Sequence, residues 1–209
     1  MPLETVTLTV GGRTWRITAV ENQDALLAVT DNPERIRYGL LLWESAVALA
    51  EVLAAQGAAI RGKEILELGA GAGLPGLVAR ASGAAVWQTD YEESALTLAQ
   101  FNAAQNQIEG IHYVAADWRN WTDDRRYDLL LGADILYERA SHPFLTTIFR
   151  RNLAPGGRLL LADPDRPQAL AYVAQLEQEG WRFEVEVRSV ALPAGAPRTV
   201  LLLSGTLPL

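Results

Sequence analysis

The sequence predicts an α/β fold in a single domain, with a mostly parallel sheet that ends in an antiparallel hairpin. Short apolar runs alternate with segments of helical periodicity from residue 63 onward, which is typical of a parallel sheet with crossover helices. Only PAGAP separates the last two apolar runs, so these two strands are too close for a parallel crossover and must be antiparallel. The 209 residues, of which 49% are hydrophobic, suffice for one sizeable domain and are few for two.

The individual elements follow from local patterns, beginning with an N-terminal hairpin. TVTLTVGGRTWRITAV alternates apolar and polar residues around Gly11-Gly12, which predicts a β-hairpin. WESAVALAEVLAAQG has helical spacing and is expected to end at Gly57. Seven strands are predicted after it, at KEILEL, AAVWQT, IHYVAA, RYDLLLGA, RLLLAD, WRFEVEVRSVAL and RTVLLLSGTL. Helices are predicted between them at LPGLVARASG, EESALTLAQFNAAQN, HPFLTTIFRRNL (closed by APGG) and PQALAYVAQLEQEG.

Composition excludes several classes of function. The formal net charge is −7 and no run of Lys or Arg accompanies it, so we expect no nucleic-acid partner. The chain has no cysteine and two histidines, which excludes disulfides, thiolate sites and histidine-rich metal sites, and we expect no metal. The N-terminus lacks a signal-peptide pattern, and no apolar run is long enough to span a membrane. We therefore expect a cytoplasmic protein without a membrane partner.

The stretch ILELGAGAGLPG marks a ligand site. Gly69, Gly71 and Gly73 follow a predicted strand at alternate positions, where bare backbone and a helix N-terminus favour a phosphate or an adenosine. GAGLPG also satisfies the dinucleotide pattern G-x-G-x-x-G, so a dehydrogenase is an alternative; the absence of GK[ST] excludes a P-loop. Asp90 ends the next strand and can accept both hydroxyls of a ribose from either ligand.

The terminal hairpin favours an adenosylmethionine fold, because a dinucleotide fold closes with further parallel strands. The motifs then resemble the class I S-adenosylmethionine-dependent methyltransferases, and more narrowly the protein-lysine methyltransferases of methyltransferase family 16. The resemblance is narrowed to this family by two motifs, G-x-x-x-W before the glycine motif and D-x-x-Y after the fourth strand. ADPDRPQA is further similar to a segment of the members that act on the electron-transfer flavoprotein β subunit. The stretches that carry the resemblance are GLLLWESAVALAEVL, ILELGAGAGLPG, TDYEESALTLAQFNAAQN, ADW and YDLLLGADILY.

The resemblance implies a Rossmann-like seven-stranded methyltransferase sheet over residues 38–209, preceded by an N-terminal hairpin extension over residues 1–37. It also implies S-adenosyl-L-methionine as the cofactor. Trp43 would border its methionine part, Asp90 would hold its ribose, and Trp118 would contact its adenine. Glu67, two residues before the first glycine, is expected to face its cationic end. The expected cofactor-binding residues are Trp43, Glu67, Gly69, Ala70, Gly71, Asp90, Tyr91, Asp117, Trp118 and Ala133.

Asp134 and Tyr137 of the D-x-x-Y motif are the expected catalytic residues. A lysine acceptor has a pKa of about 10.4 in solution and must be neutral to attack. A carboxylate beside an ammonium favours the charged, unreactive form, so we expect Asp134 to recruit and orient the amine while its proton leaves to water. Asp163 and Arg166 are expected to form an ion pair that stabilises a turn rather than to contact the substrate.

The leading interpretation is a methyltransferase that acts on a lysine amine of a protein substrate. A small-molecule N- or O-methyltransferase on the same fold is an alternative, because a fold does not determine its substrate. A non-catalytic module that binds S-adenosylmethionine is another alternative. A dehydrogenase is a further one, and nicotinamide dinucleotide binding would favour it.

Overall fold

The computed structural model describes residues 1–28, 38–193 and 195–207. At the N-terminus, β1 (Leu3–Val10) and β2 (Arg13–Val20) form a two-stranded antiparallel sheet. Gly11 and Gly12 connect the strands with φ values of 60° and 74°, which only glycine adopts without strain. The predicted hairpin is therefore confirmed. The predicted domain boundary at residue 37 lies outside the described residues.

A seven-stranded sheet follows, with the strand order β5-β4-β3-β6-β7-β9-β8. The strands β3 to β7 pair in parallel, whereas β9 runs antiparallel to both β7 and β8. This confirms the mostly parallel sheet with a C-terminal antiparallel hairpin. The strand bounds are β3 Glu64–Leu68, β4 Ala85–Asp90, β5 Ile111–Ala115, β6 Tyr127–Ala133, β7 Leu153–Asp163, β8 Arg182–Val190 and β9 Arg198–Thr206.

Six α-helices are present in the described residues, and the sequence predicts all of them except the first. That helix has five residues, too few for a periodic pattern, and the side chain of Asn22 caps it by accepting from the backbone N–H of Ala25. Three of the others have proline in the first turn, as predicted. The helix bounds are α1 Gln23–Leu27, α2 Glu44–Gln56, α3 Leu74–Ala81, α4 Glu93–Gln105, α5 His142–Asn152 and α6 Pro167–Gln178.

Helices cover both faces of the sheet, and strand alternation decides which core each side chain joins. Ile65 of β3 lies in the core formed with α2, α3 and α4, whereas its neighbour Leu66 lies in the core formed with α5 and α6. The N-terminal hairpin shares the first core through Trp15, which is fully buried. Asn102 of α4 fixes the hairpin by hydrogen bonding to the backbone N–H and C=O of Thr18.

The start of β7 differs from the prediction. The strand begins at Leu153 rather than Arg158, so the APGG stretch lies within it instead of forming a separate connection. The register explains the difference, because Tyr127 pairs with Leu153 and the next pairing joins Leu129 to Arg158. The extra residues of β7 form an irregularity in the strand, and this irregularity arises only because β7 pairs with β6.

The parallel strands all end at one edge of the sheet, which we call the carboxyl edge. The loops after β3, β4, β5, β6 and β7 begin there. Ligand sites in open α/β sheets lie at this edge. None of the helices in the described residues combines the length and the apolarity needed to cross a membrane.

Candidate functional site

The loop between β3 and α3 needs glycine for both backbone and steric reasons. Gly69, Gly71 and Gly73 have φ values of 64°, 53° and 85°. A Cβ on Gly71 would lie 2.8 Å from the carbonyl oxygen of Gly39, and a Cβ on Gly69 would lie 2.9 Å from the side chain of Ile135. The N–H of Ala70 donates to the carbonyl of Thr89 at 2.9 Å, which ties the loop to β4. The loop therefore presents closely packed bare backbone at the carboxyl edge.

Asp90 ends β4 directly beside this loop. Its Oδ2 accepts the N–H of Gly71 and its Oδ1 accepts the N–H of Glu92, both at 3.0 Å. The side chain is buried, and this burial raises the pKa of Asp90 against the lowering effect of both hydrogen bonds. Each carboxylate oxygen has a second lone pair with which it can accept a ligand hydroxyl. Tyr91, the next residue, is exposed.

Trp118 lies on the other side of the glycine loop, in a 3-10 turn that follows β5. Its ring comes within 3.5 Å of the position that a Cβ on Gly69 would occupy, so the indole adjoins the bare backbone. The carboxylate of Asp117 accepts the N–H of Arg119 and forms an ion pair with its guanidinium at 2.7 Å. Hydrogen bonding to Arg119 lowers the pKa of Asp117. Asp117 thus shapes the turn that presents Trp118.

Trp43 approaches the glycine loop indirectly. It is half-buried at the N-cap of α2, and its indole N–H donates to the carbonyl of Tyr38 at 3.1 Å. This contact holds the turn at residues 38–40, whose Gly39 carbonyl faces Gly71. Ala133 ends β6 and is half-buried.

Glu67 lies beneath the loop rather than on the open edge. Its Oε2 accepts the N–H of Gly76 at 3.0 Å and the side-chain amide of Gln88 at 2.6 Å. Complete burial raises the pKa of Glu67 to about 7. Within the described part of the chain, the hydroxyl of Tyr113 and the Oε1 of Gln88 are buried without hydrogen-bond partners. The hydrogen bonds to Gly76 and Gln88 make Glu67 a support of the loop. A contact between Glu67 and a cofactor stays a prediction.

Asp134 adopts a left-handed backbone conformation immediately after β6, with φ of 60°. This is unusual for a residue other than glycine and is often found at functional sites. The N–H of Asp134 donates to the carbonyl of Ala162 on β7 at 2.8 Å, which holds the backbone there. The carboxylate is nearly buried, and burial raises the pKa of Asp134.

Sequence reasoning missed the contact between Arg166 and Asp134. The predicted turn ion pair is present, since Nη1 of Arg166 lies 3.1 Å from Oδ2 of Asp163. The same nitrogen lies 2.5 Å from Oδ1 of Asp134. The signal was available in the motifs: ADILY and ADPDR each begin at the end of a strand, and a pairing of these strands would bring their ends together. Ala133 does pair with Ala162.

Tyr137 follows Asp134 by three residues and is 47% exposed. Partial burial, the nearby Tyr91 and neighbouring carboxylates that include Asp90 and Asp134 raise its pKa to about 12. The structure therefore brings Asp90, Tyr91, Asp134 and Tyr137 to the same edge as the glycine loop. Their roles in binding or catalysis stay predictions.

A comparison with protein families identifies the chain. The profile of the family described as lysine methyltransferase matches residues 21–179. The chain belongs to the lysine methyltransferase family. Membership confirms the resemblance that the glycine, D-x-x-Y and G-x-x-x-W motifs indicated.

The curated relatives of this lysine methyltransferase family member differ in the type of amino acid, lysine or histidine, that their names give as the methylated residue. EEF1A lysine methyltransferase 3 of Mus musculus is 33% identical over 147 residues, which cover 68% of this chain and 63% of the relative. Histidine protein methyltransferase 1 homolog of Dictyostelium discoideum is 30% identical over 130 residues, which cover 59% and 42%. The chain thus spans less than two thirds of the length of either relative.

A solved structure supports the fold of this lysine methyltransferase family member. The T. thermophilus 16S rRNA N2 G1207 methyltransferase RsmC, in complex with AdoMet and guanosine, superposes with a TM-score of 0.69. The match covers 98% of this chain and 50% of that one at 18% sequence identity. At this identity the likeness concerns the fold alone, and it confirms the Rossmann-like methyltransferase sheet.

Proposed function

We propose that the chain is an S-adenosylmethionine-dependent protein methyltransferase that methylates a lysine amine. The observation that carries the proposal is the convergence, at one sheet edge, of the bare Gly69–Gly71 backbone with the carboxylates of Asp90 and Asp134. Membership of the lysine methyltransferase family supports both the reaction and the acceptor.

The residues at the carboxyl edge fit this cofactor. Gly69 and Gly71 leave room for close approach, and Asp90 can accept from the two ribose hydroxyls. The indole of Trp118 offers an apolar surface to the adenine, while Trp43 borders the methionine part and Ala133 lines the methyl-donor end. When bound, S-adenosylmethionine supplies a methyl group that its sulfonium has already activated. The protein therefore needs no nucleophile of its own.

The acceptor amine is the group that the protein must position. Alignment of its nitrogen with the methyl group converts a bimolecular encounter into a positioned one. Asp134 is nearly buried at the end of β6 and receives the amine, while the half-exposed Tyr137 forms a wall of the entrance. The amine nitrogen would gain the methyl group in exchange for the bond between methyl and sulfur, its proton would pass to water, and S-adenosylhomocysteine would be left as the other product. Tyr137 is not the base, because its pKa of about 12 keeps its hydroxyl protonated.

The test is incubation of the purified protein with radiolabelled S-adenosylmethionine and a size-fractionated lysate of its host. We expect label in a discrete protein band and, after hydrolysis, in methylated lysine. Label in histidine would instead match the Dictyostelium relative and overturn the lysine assignment. Label confined to small molecules would support a metabolite methyltransferase. Binding without any labelling would support a non-catalytic module.

Asp134→Asn distinguishes acceptor recruitment from cofactor binding. We expect this variant to lose labelling while its affinity for S-adenosylhomocysteine, measured by calorimetry, stays nearly unchanged. Asp128→Asn is the matched control, because Asp128 lies where β6 begins, at the opposite edge, and pairs with Lys63 at 3.1 Å. Loss of S-adenosylhomocysteine binding in Asp134→Asn would make Asp134 a cofactor residue.

A cytoplasmic location and the absence of a nucleic-acid partner stay predictions.

A further inference from the structure

One guanidinium nitrogen connects two carboxylates at the acceptor side of the site. Nη1 of Arg166 contacts Oδ1 of Asp134 at 2.5 Å and Oδ2 of Asp163 at 3.1 Å. Asp163 is fully buried, and its second oxygen accepts the backbone N–H of Arg166 at 2.8 Å. Arg166 is therefore fixed both by its backbone and by its side chain, and it holds the carboxylate that was expected to receive the amine.

The charges around Asp134 explain what this cation does. Glu44 of α2 faces the same region and is itself only partly neutralised, by the exposed Arg198 at 3.3 Å. Without Arg166, the described residues would surround a bound amine with several carboxylates and no cation paired to Asp134. The amine would then be held firmly as an ammonium, which cannot attack a methyl group. Among the residues that the structure describes, the titratable and charged groups that face Asp134 are Glu44, Tyr137, Asp163 and Arg166, with Asp90 and Arg198 beyond them.

We propose that Arg166 is a positioning residue, which fixes the Asp134 carboxylate and limits how strongly this carboxylate binds the acceptor as a cation. The inference rests on the proposed transfer to an amine. Arg166 resolves the conflict between recruitment and reactivity: Asp134 keeps its directional hydrogen bond to the amine, while the neighbouring positive charge opposes the ammonium form. The nitrogen that gains the methyl group can thus release its proton to water at a lower pH.

Arg166→Gln tests the proposal through its pH dependence. The acceptor is the host protein that carries the label in the lysate experiment, and kcat, which reports the ionisation of the bound amine, is measured at saturating acceptor from pH 6 to 10. We expect the inflection to move upward by about one pH unit in the variant. At pH 8 we expect kcat to fall about tenfold, whereas KM for the acceptor protein stays equal or decreases. A loss of structure alone would instead lower the rate equally at every pH.

Arg150→Gln is the matched control. Arg150 also pairs with a carboxylate, that of Glu179 at 3.1 Å, but it lies near the far end of α5. Its pH profile is expected to match that of the unmodified protein. Arg166→Lys should restore much of the original profile, because a single nitrogen of Arg166 makes both carboxylate contacts. An unshifted profile in folded Arg166→Gln that still binds S-adenosylhomocysteine would overturn the proposal.

A second measurement needs neither methyl donor nor acceptor. The carboxyl carbon of Asp134 is titrated by ¹³C NMR, and its signal is assigned by its loss in Asp134→Asn. Removal of the paired cation in Arg166→Gln should raise the Asp134 pKa by about one unit. If Arg166→Gln does not fold, the same titration in Arg166→Lys replaces it, with a smaller upward shift expected. An unchanged pKa would overturn the proposal even if methyl transfer is observed, and a wild-type protein that labels no protein would refute only the proposed function.

Discussion

The backbone N–H of Gly71 donates to Oδ2 of Asp90 at 3.0 Å, so the glycine loop after β3 and the carboxylate at the end of β4 form one unit. Gly39 closes this unit from the other side, since its carbonyl faces the position where Gly71 would carry a side chain. A change to either Gly71 or Asp90 is therefore expected to disturb the proposed cofactor contacts of both residues together.

Gly71→Ala should weaken binding of S-adenosylhomocysteine at least tenfold. The added Cβ would lie 2.8 Å from the Gly39 carbonyl, and a left-handed φ costs a residue other than glycine about 1–2 kcal/mol. Calorimetry measures the affinity, and urea denaturation measures the free energy of unfolding. Gly12→Ala is the control, because Gly12 has a φ of 74° and no atom within 4 Å of an added Cβ. Equal affinities in the two variants would refute the role of the Gly71 backbone.

Asp90→Asn should lower the affinity for S-adenosylhomocysteine roughly 10- to 100-fold, the effect expected from losing hydrogen bonds to a charged group. The side-chain amide of the asparagine would also place its own N–H groups against the backbone N–H of Gly71 or of Glu92. Asp128→Asn is the control, because Asp128 likewise accepts a backbone N–H, that of Glu64, at 2.9 Å. Affinity that survives in Asp90→Asn would remove this residue from the ribose site.

Glu67 should make the free energy of unfolding depend on pH. Burial raises its pKa from 4.5 to about 7, so the folded protein holds this proton more tightly than the unfolded chain. The resulting stabilisation is complete below pH 4.5 and is lost as the pH rises through 7, a decrease of about 3 kcal/mol. Glu67→Gln should remove this decrease, because an amide oxygen can still accept from Gly76 and Gln88.

Urea denaturation at pH 5 and pH 8 measures the difference. Glu64→Gln is the control, since Glu64 starts the same strand but is exposed. The control should keep the pH dependence of the unmodified protein. Parallel stability curves for the unmodified protein and Glu67→Gln would show that Glu67 does not carry the proton.

Tyr137 should act through its ring rather than through proton transfer. Because its pKa is about 12, Tyr137→Phe should keep the shape of the pH profile between pH 6 and 10 and lower the rate less than about tenfold. Tyr137→Ala, which removes the ring that is proposed to line the acceptor entrance, should lower the rate further. Phe101→Ala removes another exposed aromatic ring, on α4, and should have no such effect. An inflection that disappears in Tyr137→Phe would instead assign a proton-transfer role to the hydroxyl.

Local patterns predicted most of the architecture because each pattern is physically complete within a short segment. The hairpin at Gly11-Gly12, the glycine loop and the proline at the start of α3 carry their conformational requirements in adjacent residues. The start of β7 escaped prediction because its irregular pairing with β6 depends on a neighbouring strand. Helix α1 escaped because five residues show no period.

The candidate site divides in the same way. The sequence by itself determined the glycine loop, the acid at the end of β4 and the D-x-x-Y motif, because each lies at the end of a strand or directly after one. The tertiary structure alone decided that Arg166 contacts Asp134, that Gly39 closes over Gly71, and that Glu67 lies inside the protein. These contacts join residues distant along the chain, and only the order of the strands and the packing of the helices bring them together.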